Sequence, residues 1–242
     1  MNMTTVASVA APVGFCQRCP TRNYCAAADL QPVELELLPQ IMHLGRSLPK
    51  GAHAFRAGDP VDGEYHVRSG TLKTYFTSHS GVECVTGFYL PGEILPGFKH
   101  GGYHTHSAAA LDNASICMER PNADRHERAE IQRLLGLIRR HHYHVSSVAL
   151  KQQINLHATT ARARFAGFCV DMMERLHKLE RNPTFISTPM SRTDIANFLG
   201  LTLESLSRAI SALKREGVIT ADRQAIEIVQ PQTLRKMAPH LC

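Results

Sequence analysis

The feature that most constrains this 242-residue chain is a single change in its hydrophobic period. Between about residues 48 and 120 the apolar residues alternate, and from about 124 onward they recur at threes and fours. Tyr65 and Val67 alternate ahead of Arg68-Ser69-Gly70, and Leu72, Thr74 and Phe76 alternate again. Cys84, Thr86, Phe88 and Leu90 resume after Ser80-Gly81, which has the form of a hairpin tip. Glycines at 51, 58, 63, 70, 81, 87, 92 and 97 punctuate the stretch. Alternation turns one face of each strand to a core, and short strands at this spacing build a compact β-sandwich or barrel. An all-β domain is expected there. A short helix should precede it over 32–44, with Leu35, Leu38, Ile41 and Met42 as its stripe.

The second period implies a different architecture. Ile131, Leu134, Leu135, Ile138, His142, Val145 and Val148 or Ala149 form the stripe of one long amphipathic helix over about 124–158. A helix of that length cannot cover its stripe with a small β-domain alone, so a helix–helix dimer seam is expected. Packing within the monomer is the alternative. Phe165, Phe168, Cys169, Met172 and Leu176 line one face of the next helix, which Asn182-Pro183 ends.

The most informative segment is 189–217. Ser191 followed by Asp194 reads as a capping box opening a helix over 192–199, stopped by Gly200. Thr202 caps a second helix over 202–216, and Gly217 ends it. Two short helices joined by a glycine turn make a helix-turn-helix, with Ala196 small enough for the crossing. Leu203, Leu206, Ile210 and Leu213 should face inward, leaving Glu204, Ser207, Arg208, Ser211 and Arg215 outside. Such a face suits the major groove: Arg208 can pair with guanine, Glu204 with a cytosine amine, and Ser207 with a base edge. Arg192, Lys214 and Arg215 are candidate phosphate contacts. Residues 218–229 alternate about a polar turn, as a winged hairpin would.

Charge supports this division. Residues 1–120 carry 9 Lys/Arg against 10 Asp/Glu, and residues 121–242 carry 18 against 11. The basic excess therefore lies wholly in the half with the helix pair, which fits a double-stranded DNA partner. A solvated basic surface, or a helix pair that contacts protein, is the blander reading.

Cysteines stand at 16, 19, 25, 84, 117, 169 and 242. Three fall within ten residues, a ligand-like spacing, while an odd total without a secretory leader argues against a disulfide framework. Residues 1–14 read as a tail. No run approaches the ~18 apolar residues of a membrane helix, so no membrane partner and a cytoplasmic setting are expected. Cys84 and Cys169 read as core residues, Cys242 as a terminal thiol, and the histidines of 139–144 as a solvated helix face.

The segments KGAHAFRAGD (50–59), RSGTLKTY (68–75), TGFYLPGE (86–93), RARFAGF (162–168) and DIANFLGLTLESLSR (194–208) resemble the cyclic-AMP receptor protein superfamily of transcription factors. The closest resemblance is to its oxygen-responsive fumarate and nitrate reduction (FNR) regulators. That resemblance implies an α+β fold: a cysteine-rich arm (1–29), a jelly-roll-like β-roll sensor domain (30–123), a dimerisation helix (124–158) and a C-terminal winged helix-turn-helix (159–242). It implies a [4Fe-4S] cluster on Cys16, Cys19 and Cys25, spaced C-x2-C-x5-C, with Cys117 as fourth ligand. It also implies a homodimer, a TTGAT-like palindrome read by Glu204, Ser207 and Arg208, and RNA polymerase met through the loop Thr77–Cys84. Some relatives carry an acidic residue near the position of Ala149, so its absence here implies a dimer less dependent on the cluster. Cyclic-nucleotide binders use an arginine for the phosphate, and residues 97–119 hold none, which argues against cyclic AMP. Zinc, a thiol switch or another small ligand are the alternatives to the cluster, and a metal-binding interaction protein is the alternative to a regulator. No nucleophile–base pair or phosphate loop suggests an enzyme.

Overall fold

The computed structural model describes residues 15–25, 27–43, 45–97, 99–120, 128–138, 155–158, 160–187 and 189–238. The tail, His142, Val145, Val148, Ala149, the histidines of 139–144 and Cys242 lie outside the described residues. The chain divides into two units, Met1–Val145 and Ser146–Cys242.

The first unit opens with two short 3-10 turns, Cys16–Arg18 and Arg22–Tyr24, followed by helix α1, Pro32–Ile41. Pro32 at the first helical position and a reciprocal Gln31/Glu34 capping box start α1. The helix is shorter than the expected 32–44. The helix runs through Pro39, and the Met42 N–H still bonds the Leu38 carbonyl, but Met42 itself is extended (φ −113°, ψ 138°) and enters strand β1, Met42–His43. Met42 is still buried, but as a strand residue opposite Glu119.

Strands β2 (Ser47–Leu48), β3 (His53–Phe55), β4 (Glu64–Ser69), β5 (Leu72–Thr77), β6 (Glu83–Tyr89), β7 (Lys99–His100), β8 (Tyr103–His104), β9 (Ser107–Ala110) and β10 (Ala114–Glu119) follow. All pairings are antiparallel. One sheet has β10 between β1, β2 and β4, the other runs β3-β9-β5-β6, and β7-β8 is a separate hairpin. Leu48, Phe55, Tyr65, Val67, Leu72, Leu95 and Ile116 are buried together as its core, to which both sheets contribute. Ser78 and Val82 close the β5–β6 hairpin, and Gly81 takes the left-handed φ of +80° that its tip requires.

A helix described over 129–138, α2, completes the unit. Its stripe is real, but Ile131, Leu134, Leu135 and Ile138 are fully buried against Leu35, Leu38, Ile41 and Ala27 of the same chain. This part of the expected dimer seam is an intramolecular contact, because α1 and the cysteine arm already supply the apolar cover. The rest of that stripe lies outside the described residues.

The second unit is built on α3, Ala161–Lys178, whose Phe165, Phe168, Cys169 and Met172 are buried. Helices α4 (Arg192–Phe198) and α5 (Leu203–Arg215) form the helix-turn-helix, and α6 is Pro231–Met237. Strands β12 (Ile219–Ala221) and β13 (Ala225–Ile228) make the wing hairpin, joined on β13 by β11, Phe185–Ser187. No helix among the described residues is long and apolar enough to cross a membrane.

Candidate nucleic-acid interface and thiol cavity

The helix-turn-helix is assembled by local chemistry. The Ser191 hydroxyl accepts from the Asp194 N–H at 2.9 Å and starts α4. The Thr202 hydroxyl accepts from the Ser205 N–H at 3.1 Å and starts α5, and each such cap contributes about 1 kcal/mol. Gly200 makes the turn with φ +61° and Gly217 ends α5 with φ +65°. Leu206, Ile210 and Leu213 are buried as expected. Leu203 is not: it is 48% exposed, because the first turn of α5 projects beyond the core.

Glu204, Ser207 and Arg208 are exposed on α5. Arg208 Nη1 donates to Glu204 Oε1 at 2.9 Å, an exposed i,i+4 pair worth only a few tenths of a kcal/mol, so it opens readily. Lys214 Nζ donates to the Ala221 carbonyl at 2.9 Å and Arg192 Nη2 to the Asp222 carbonyl, so both brace the wing. Burial holds the Arg192 guanidinium below its ordinary pKa, while Arg215 is exposed. Sequence reasoning missed Arg164. From α3 it donates through Nη1 to the carbonyls of Leu199 and Gly200 and through Nε to Ala158, pinning the turn between α4 and α5. Its signal was only its place within RARFAGF.

In the first unit, Cys16, Cys19, Cys25 and Cys117 line one cavity of about 50 Å³, together with Phe15, Thr21, Leu38, His66, Arg68 and Ile138. The segment between Cys19 and Cys25 is ordered as the Arg22–Tyr24 turn, with Arg22 N donating to the Cys19 carbonyl and Cys25 N to Thr21. Gly92 fits beneath it: a Cβ there would stand 2.6 Å from the Tyr24 carbonyl oxygen. Cys117 sits on β10 opposite His66 of β4. The Ala27 N–H donates to Cys25 Sγ at 3.4 Å, and Cys19 Sγ and Thr21 Oγ1 are 3.2 Å apart.

Burial pushes the Cys16 thiol up to about 11 and the Cys117 thiol up to about 12, with the neighbouring thiols adding to the shift and Arg68 opposing it. Cys25 is raised for the same leading reason. Burial disfavours the free thiolates here, so the thiols suit a group that brings positive charge to share with them. Cys169 is fully buried in α3 and its thiol is strongly raised. Cys84 is exposed on β6 rather than in the core, since it lies near the hairpin tip.

Known proteins match both units. The Crp-like helix-turn-helix domain family matches residues 163–237, and the cyclic nucleotide-binding domain family matches residues 45–125. The transcriptional activator protein Anr of Pseudomonas protegens is 33% identical over 229 residues, covering 92% of this chain and 92% of its own. The chain belongs to the Crp/Fnr family. This Crp/Fnr protein is also 29% identical over 239 residues to the fumarate and nitrate reduction regulatory protein of Escherichia coli, covering 93% of this chain and 90% of that one. Among solved structures, FixK2 from Bradyrhizobium japonicum superposes with a TM-score of 0.67 and 26% identity, over 82% of this chain and 98% of that one. The Crp/Fnr protein is thus a DNA-binding transcriptional regulator rather than an enzyme, with a β-domain ahead of a helix-turn-helix.

Proposed function

We propose that this regulator senses oxygen through a [4Fe-4S] cluster held by Cys16, Cys19, Cys25 and Cys117. The observation that carries the reading is that these four thiols, three from the arm and one from β10, line one cavity. Four cysteine thiolates are the donor set that a [4Fe-4S] cluster takes, with zinc as the alternative occupant. When bound, the cluster supplies redox chemistry that oxygen can reach. The chain's own residues carry the response: Cys16, Cys25 and Cys117 pack on the same apolar cluster as Ile131, Leu134, Leu135 and Ile138. Holding the arm therefore holds the start of α2, and releasing it frees that face.

The reading divides the chain into the arm (1–29), the β-roll (30–123), a dimerisation helix (124–158) and the winged domain (159–242). Two copies present their α5 helices to a TTGAT-like palindrome, with Glu204, Ser207 and Arg208 reading bases. Arg215 offers phosphate a solvated charge, while Arg192 and Lys214 exchange wing carbonyls for it. The loop Thr77–Cys84, with Val82 62% exposed, is the proposed contact for RNA polymerase. This reading gives cyclic AMP no role, since residues 97–119 hold no arginine for its phosphate and Lys99 is exposed on β7.

Protein purified without oxygen is expected to contain about four iron and four acid-labile sulfide per monomer. It should shift a TTGAT palindrome before, and much less after, exposure to air. Zinc or no metal would refute the cluster and leave a thiol switch or another ligand as the sensing chemistry.

A further inference from the structure

Four thiolates outnumber the charge of the core they hold, so a cluster in this cavity is anionic and partly buried. Such a group needs compensating charge nearby. Two arginines meet the requirement. Arg68, on β4, lines the cavity, and its guanidinium carbon lies 4.6 Å over the Phe15 ring, which fixes it beside Cys16. Its Nε is buried without a hydrogen-bond partner. Apart from the cysteines themselves, the charge acting on Cys16 and Cys117 is that of Arg68. Arg22 lies between Cys19 and Cys25; its carbonyl accepts from the Cys25 thiol at 3.6 Å, and its own Nε is also buried without a partner. Among the described residues neither arginine is paired with a carboxylate.

A buried guanidinium donor left unpaired costs on the order of 1–3 kcal/mol unless something accepts from it. An anionic sulfur group in the cavity is such an acceptor. We propose that Arg68, seconded by Arg22, is a positioning residue for the bound cluster, its charge and unpaired Nε stabilising the anionic form and so setting its reduction potential. This rests on the cluster reading above and extends it to residues that are not ligands. Removing the positive charge disfavours the more negative, reduced state, so the potential must fall and oxidation become easier.

The test compares full-length wild type, Arg68→Gln, Arg68→Lys and Arg22→Gln purified without oxygen. Iron and sulfide content, an optical redox titration and the half-life of the visible absorbance in air are measured for each. Arg68→Gln should shift the oxidised-to-reduced ratio at fixed potential about tenfold, 59 mV for a one-electron couple, and bleach faster. Arg68→Lys should restore most of the shift, and Arg22→Gln should move it in the same direction by less. Should Arg68→Gln hold no iron while Arg68→Lys holds it at the wild-type potential, the charge requirement is met in stronger form. An unchanged potential in Arg68→Gln overturns the inference while leaving the cluster intact. Equal shifts in the lysine and glutamine variants, or iron-free but folded protein from both, overturn it as well. Iron-free wild type overturns the cluster reading itself, and this inference with it.

Discussion

Gly92 offers a way to disturb the thiol cavity without touching a sulfur. It adopts φ +90°, and its N–H donates to the Val67 carbonyl at 2.8 Å. A Cβ there would approach the Tyr24 carbonyl oxygen to 2.6 Å and its carbon to 2.9 Å, immediately before Cys25. Gly81 has nearly the same φ, +80°, yet a Cβ there meets nothing within 4 Å. The left-handed backbone costs an alanine about 1–2 kcal/mol at either position. Only at Gly92 does overpacking add about 1–3 kcal/mol, by lifting the turn that carries Cys25. Gly92→Ala should therefore be less stable than Gly81→Ala in urea by that difference. If the turn must be seated to hold the cluster, Gly92→Ala should also release iron to a chelator at about 5–150-fold lower chelator concentration than Gly81→Ala. Equal iron retention in the two variants would refute the reasoning, since the close approach would then do nothing for the cysteines.

Three further outcomes follow from other parts of the molecule. Arg208→Lys keeps the charge but loses the two-pronged donor, so affinity for the proposed TTGAT-like palindrome should fall by about 1–3 kcal/mol in fluorescence anisotropy at fixed salt, with non-specific binding unchanged. Leu206→Ala, at a fully buried position, should destabilise the second unit by about 2–5 kcal/mol, whereas Leu203→Ala should stay within about 0.5 kcal/mol; thermal melts check both. His104 is buried against the Phe55 ring at 3.9 Å, and burial holds its pKa below the ordinary 6.5. The unfolded chain then binds the proton more readily, so its contribution is complete above pH 6.5 and declines as pH falls from 6.5 towards the lowered folded value. His104→Phe should flatten the urea-midpoint curve over that window, and an unchanged slope would contradict the assignment.

What the sequence disclosed follows from how local each interaction is. Capping by Ser191 and Thr202, the glycine stops and the buried Leu206-Ile210-Leu213 row depend on neighbours within one turn, so spacing alone reveals them. Periodicity says that a helix face is buried but not against what. Hence Ile131, Leu134, Leu135 and Ile138 read as a dimer seam, although α1 and the arm cover them. Leu203 obeyed the period and still lies outside, because period carries no information about where a core ends. Arg164, Arg68 and the Gly92–Tyr24 approach join residues far apart in the chain and left no mark in spacing.

Ile138 of α2 belongs to the wall of the thiol cavity, and the other buried residues of that helix lie directly behind it. If the cavity holds the proposed cluster, its affinity for that cluster and the ordering of α2 are one quantity measured from two ends, since a coupling between sites acts equally in both directions. Substitutions that loosen Leu134 should weaken iron retention although Leu134 does not line the cavity. On the proposed reading, a genetic screen for lost iron would return a helix face as well as four cysteines, and one for altered pairing of the helix would return residues of the arm.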